Sequence, residues 1–259
     1  RRHTRLQGDW SSDVCSSDLL LIISSCQKKD KAKTNDNSPK SYDFTINGKI
    51  MNIRDQRFII QKMSFSNITS EKADTGYLKN GTFSISIKAP EEALYQLMTD
   101  DGATFLFIND QNKIELTGKD GSLDINNTSI NTPANSTLQN LFNKINTYNS
   151  ELAQTDEAVK KLKEEGNDSL FLQGMDKLNA QVGDFNNYLL NVFKTTSDPI
   201  IATITLGNAI FPDPQQLKPY LDDLSKRFPS HKGIAGMVKD FYASNVAGGS
   251  SQNNNDQES

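Results

Sequence analysis

Cysteine, histidine and paired carboxylates are the residues of this chain that could do chemistry, and their spacing decides what chemistry that is. Its 259 residues include two cysteines, Cys15 and Cys26, and two histidines, His3 and His231. A dithiol redox centre needs a CxxC pair at a helix N-terminus, where the dipole makes the first thiol an attacking thiolate. Cys15 and Cys26 are too far apart for that, and no cysteine follows Cys26. A disulfide between them is disfavoured, because both precede the patterned part of the chain. His3 and His231 are too scattered for a metal site. His231 follows Ser230 near a helix start and reads as a surface or capping residue. The pairs Asp100-Asp101, Glu164-Glu165 and Asp222-Asp223 read as turn residues or solvated faces rather than as an acid–base couple. Gly233 and Gly236 in KGIAG lack the spacing and the following lysine of a phosphate loop. The expectation is a chain with no catalytic, metal-binding or cofactor-binding residue.

Cys26 has a different role to offer. Leu19 to Ser25 read LLLIISS, so an apolar run and then small residues lead directly to Cys26. Ile23-Ser24-Ser25-Cys26 resembles a bacterial lipobox. The run would enter the membrane, the small residues would admit the peptidase, and the Cys26 thiol would take the lipid. The alternative is a short buried strand with a core cysteine. Polar residues QKKDKAKTNDNSPK follow, as suits a flexible tether. A membrane span needs about twenty apolar residues, more than this run has. It is also shorter than the roughly 7–15 residues of a normal signal core. Asp9, Asp13 and Asp18 stand where basic residues belong. The stretch DWSSDVCSSDL, read back into codons, resembles a translated sequencing-library adapter. Residues 1–18 are therefore expected to be foreign to the native protein, which leaves Trp10 and Cys15 without a role. Residues 19–25 then read as a shortened signal peptide.

These residues must be positioned by elements, and the elements are legible from Tyr42 onward. Net charge is −4, pI is near 5.3 and mean hydropathy is −0.59. An acidic chain without a basic face argues against nucleic acid as a partner. Tyr42, Phe44 and Ile46 alternate with polar residues, as do Phe83, Ile85 and Ile87. Asn80-Gly81 predicts a type I′ hairpin turn, which needs positive φ at both central residues. ALYQLMT, ATFLFIN and KIELTG continue the pattern, and SLDINNTSI reads as one last strand or strand pair. Residues 41–132 are thus expected to form an antiparallel β-sandwich or partly open barrel.

After Pro133 the period becomes helical. Leu138, Leu141, Phe142, Ile145 and Leu152 lie at helix spacing, with Ser136 or Asn135 as the cap and Pro133 outside. A second helix is predicted over Asp168 to about Lys194, turning at Gly166-Asn167 to make an antiparallel hairpin. Three more follow: from Asp198-Pro199, over QQLKPYLDDLSKRFP, and from His231 to Tyr242. The fold class is α+β, with about five helices over residues 133–246 and a linker from residue 247.

FTINGKI, LKNGTFSISI, ALYQLMTDDGATFLFINDQNKIELTG and INTPANSTLQNLFNKI together resemble a small β-rich domain of unknown function (DUF4369-like). That domain precedes the thioredoxin domain in many bacterial lipoproteins of the TlpA-like, AhpC/TSA thiol–disulfide oxidoreductase group. YLDDLSKRFPSHKGIAGMVKDF looks like the segment just before their catalytic domain. The resemblance implies an envelope lipoprotein cut before its catalytic domain, which agrees with a lipid anchor at Cys26; Gln27, in place of the Asp that holds many such proteins at the inner membrane, points to the outer membrane, facing the periplasm. Its helical region would pack internally or meet a protein partner or a second copy. The other reading is a complete lipoprotein serving as a binding or scaffolding module.

Overall fold

In the computed structural model the described residues are 41–65, 70–119, 121–124 and 127–248. Cys26, Cys15 and His3 lie outside them. Among the described residues, eight strands form two four-stranded sheets that face each other. The first sheet contains β1 (Phe44–Ile50), β4 (Thr82–Ile87), β7 (Lys113–Gly118) and β8 (Thr128–Ile130), in the order β4-β1-β7-β8. The second contains β2 (Gln56–Lys62), β3 (Glu71–Leu78), β5 (Leu94–Thr99) and β6 (Thr104–Ile108), in the order β3-β2-β5-β6. This is the sandwich expected from the alternation. Phe44, Ile46, Phe58, Ile60, Leu97, Phe107, Ile114 and Leu116 meet in one core between the sheets. Each such side chain contributes roughly 2–3 kcal/mol on burial.

Two features depart from the simple hairpin picture. Asn80 and Gly81 do have φ of 50° and 72°, as a type I′ turn demands. The strands they join nevertheless part after a single bridge, Lys79 to Thr82, with β3 entering one sheet and β4 the other. Leu78 and Phe83 on either side are both buried in the core, so the turn makes a sandwich corner. The second departure is that β1 pairs parallel with β7, Thr45 to Ile50 alongside Lys113 to Gly118. A parallel pair needs a long connection, and β2 to β6 supply it. β8 is one short strand.

Helices α1 (Pro133–Glu164) and α2 (Asp168–Thr195) form the hairpin read from the sequence. Gly166, at φ 70°, makes the turn, and the Asn167 side chain accepts from the Leu170 N–H at the start of α2. Pro133 is the first residue of α1, not outside it, and the cap position is Thr132. Proline suits that place because its missing N–H would have no helical partner there. α3 (Pro199–Asn208) is buried along most of its length. A 3-10 turn (Pro214–Leu217) leads into α4 (Lys218–Arg227), with Pro219 in the first turn. α5 (Lys232–Gly248) runs past the Tyr242 end that its apolar spacing suggested. Leu94 and Ile108 turn outward from the second sheet and pack with Leu138, Leu141, Phe185, Leu189, Ile200 and Ile201 of α1, α2 and α3. A third cluster joins Phe193, Ala202, Leu206, Leu221, Leu224 and Ile234 among α2 to α5. Among the described residues no helix is long and apolar enough to cross a membrane.

Candidate functional site: a polar joint between sheet and helices

A dense set of polar side chains lies where the β4–β5 loop meets the helices. Asn109, at the end of β6, is 2% exposed. Its Oδ1 accepts from the Ala93 N–H at 2.6 Å, and its Nδ2 donates to the carbonyls of Tyr42 at 3.0 Å and Glu91 at 3.2 Å. One side chain thus ties the entry of β1 to the β4–β5 loop. Buried amides and carbonyls need such partners, and each one orphaned costs about 1–3 kcal/mol.

Glu91 carries the tie onward to α5. Its Oε2 accepts from the Lys232 N–H at 2.7 Å, and its Oε1 from the Gly233 N–H at 3.2 Å. These are free amides of a first helical turn, which favours an anion by its dipole as well. Lys62 Nζ donates to Oε1 at 3.3 Å from the opposite side. A Cβ at Gly233 would stand 3.2 Å from the His231 ring, a tight approach, and in ordinary contact at 3.5 Å with Glu91 Oε1.

His231 caps the same helix but is not at the surface: its side chain is 8% exposed. Nδ1 accepts from the Ile234 N–H at 3.2 Å, and Nε2 lies 2.8 Å from the Glu92 carbonyl. The Nδ1 acceptor role assigns the proton to Nε2, which donates to Glu92. The nearest Glu91 oxygen is 3.7 Å from Nδ1. The capping role follows from Ser230-His231 ahead of a helix; the burial comes from the facing loop, which the local sequence does not reveal.

Two more helices start at the joint. Asp198 Oδ1 accepts from the Ile200 and Ile201 N–H groups, both at 2.8 Å, at the head of α3. Asp110 Oδ2 accepts from the Ala134 N–H at 3.0 Å, at the head of α1. Burial pushes the Asp198 carboxyl above its usual range, and the nearby Asp110 charge adds to this. The two α3 amides and a hydrogen bond with the Glu92 carboxyl oppose it. Asn135, one of the two residues read as a cap, instead turns its side chain onto β6.

The other sequence-derived candidates stay apart. Asp100 pairs with Arg57 at 3.1 Å, and Asp101 accepts from Thr99 Oγ1 at 2.5 Å, in the β5–β6 turn. Asp222 accepts from the Tyr242 hydroxyl at 2.6 Å, while Asp223 pairs with Arg227 at 3.2 Å. Glu164 and Glu165 are exposed at the end of α1. Gly233 belongs to the joint, and Gly236 lines a cavity of about 180 Å³ beside Lys62 and Glu91. A larger cavity of about 410 Å³, walled by Phe65, Phe142, Ile204, Leu221, Met237 and Phe241, adjoins it through Met63 and Ser64. Sequence reading missed Lys62, Glu91, Asn109 and Asp110. The signal available was Pro90-Glu91-Glu92 and Asn109-Asp110, polar pairs set directly against apolar strands.

Fold and joint together define a class: a β-sandwich to which a helical region is fastened by capped helix starts. Residues 44–141 match the family model of a domain of unknown function, DUF4369. Comparison with curated proteins gives no match. Among solved structures, "pT26-6p" aligns at 11% identity with a TM-score of 0.18, over 78% of this chain and 42% of that one. At that TM-score the likeness carries no structural argument.

Proposed function

We propose that this chain is the non-catalytic anchor, β-sandwich and helical region of a cell-envelope lipoprotein of the thiol–disulfide oxidoreductase type. The observation that carries this reading is the joint itself. Asn109 and Glu91 fasten the entry of β1 and the start of α5 to one loop. Its carboxylates are spent on helix amides and on Lys62. Such an arrangement fixes the direction of α5 relative to the entry of β1, which is what a spacer must do. The DUF4369 match over residues 44–141 supports the same reading. The lipid on Cys26 would hold the molecule to the membrane, expected to be the outer membrane on its periplasmic side. The outward half of the α1–α2 hairpin would be free for a protein partner or a second copy. A second reading, a lipoprotein that binds or scaffolds, is favoured by the apolar cavity of about 410 Å³.

Lipidation is tested by giving the chain a start methionine and a basic segment ahead of Leu19, then growing the cells with an alkyne-bearing palmitate. The expected outcome is label in the membrane fraction for the native sequence and none for Cys26→Ala. An unlabelled native sequence would sink the anchor. The coding sequence beyond residue 259 separates the two readings: an in-frame domain with a CxxC motif supports the first, a stop codon the second. Disulfide reductase turnover by this chain would overturn both.

A further inference from the structure

β6 is an edge strand of the second sheet. In its ladder with β5, the Asn109 N–H donates to the Ala93 carbonyl and the Thr99 N–H to the Ala103 carbonyl, so the backbone groups of the odd-numbered residues face β5. Thr104, Leu106 and Ile108 therefore turn their backbone N–H and C=O groups outward. At Ile108 a single side chain meets both: the Ile108 N–H donates to Asn135 Oδ1 at 2.8 Å, and Asn135 Nδ2 donates to the Ile108 carbonyl at 2.7 Å. This carboxamide does what the peptide group of a neighbouring strand would do. At Leu106 and Thr104 no such bond exists among the described residues. Beside them lies a groove of about 240 Å³, walled on the far side by Ile130 of β8 and by Leu138 and Phe142 of α1.

We propose that this groove receives an extended peptide from a partner protein as a fifth strand of the second sheet. It would start where Asn135 stops, pair with Leu106 and Thr104, and set an apolar side chain between Ile130, Leu138 and Phe142. Unpaired edge groups offer a template for strand addition, with backbone bonds giving affinity and a pocket giving selectivity. A second copy is closed off in one register. Pairing β6 with β6 about Leu106 would set Thr104 of one copy opposite Ile108 of the other, where Asn135 already sits. Asp124 is the charged residue in the wall, so the segment is neutral or basic.

The test is to pan a displayed library of random octapeptides against the full chain. The expected binders alternate apolar residues, carry few acids, and slow amide hydrogen exchange at Leu106 and Thr104. Thr104→Pro deletes an outward N–H and no ladder bond. Asn146→Trp, at an exposed position lining the groove, fills it without touching the core. Each variant should keep the native circular dichroism spectrum and weaken the selected peptide at least about tenfold. The proposal is overturned if no peptide is enriched, if binders leave exchange at Leu106 unchanged, or if both folded variants bind them normally.

Discussion

Asp198 holds a carboxylate where burial and Asp110 disfavour its charge, while two α3 amides and Glu92 favour it, and the first pair prevails. Its folded pKa therefore lies above the unfolded one. Between those two values the folded state binds the extra proton, so this residue's contribution to stability falls as pH rises through that window. Asparagine presents the same accepting oxygen to the α3 amides without a charge. Asp198→Asn should accordingly gain on the native chain as pH climbs from acidic to neutral, then hold level. Urea unfolding midpoints of both proteins across that range measure it, and a difference constant with pH would refute the assignment. Asn109 sets a different kind of test, since its three partners are backbone groups. Asn109→Ala leaves one N–H and two carbonyls without their partner. The expected loss is about 3 kcal/mol, read from chemical denaturation.

Among the elements, β1 and β3 each place a glycine under a phenylalanine of the strand they pair with. Gly48 is opposite Phe83, and Gly76 is opposite Phe58. A Cβ would come 1.9 Å from the Phe83 ring at Gly48 and 2.2 Å from the Phe58 ring at Gly76. The two rings then meet each other between the sheets, with centroids 4.5 Å apart. Neither ring can give way without displacing the other, so overpacking here has no easy outlet. Gly48→Ala should cost about 3 kcal/mol, seen as a lower melting temperature, and adding Phe83→Leu should restore part of it. A fully additive double variant would show that the ring contact is not the cause. Gly48 follows Asn47, and the same dipeptide that makes a turn at residues 80 and 81 here lies mid-strand. Local sequence cannot separate these two uses, because the deciding partner, Phe83, comes from another strand.

For the molecule as a whole, alternation and helical spacing reveal most elements, because one buried face imprints its period on any strand or helix. What they do not reveal is which elements meet. β3 and β4 look like hairpin arms, yet they serve different sheets. β1 and β7 look unrelated, yet they run side by side. The joint is the extreme case: Glu91 reaches Gly233 across 142 positions, and nothing within a short window distinguishes it from an exposed loop acid. Asn135 was legible as a residue near a helix start but not as one that closes part of a sheet edge. Cys26 is the converse, a residue whose suggested role comes wholly from its immediate neighbours.

The placement of β1 has a mechanical consequence. It is an inner strand, antiparallel to β4 on one side and parallel to β7 on the other, and the carbonyl of Tyr42, just ahead of it, is held by Asn109. A pull on the chain ahead of Tyr42, directed along the strand, loads the hydrogen bonds of both ladders together, in shear. They cannot be peeled apart one at a time, so the end of the domain that would bear a tether is also the end built to resist tension.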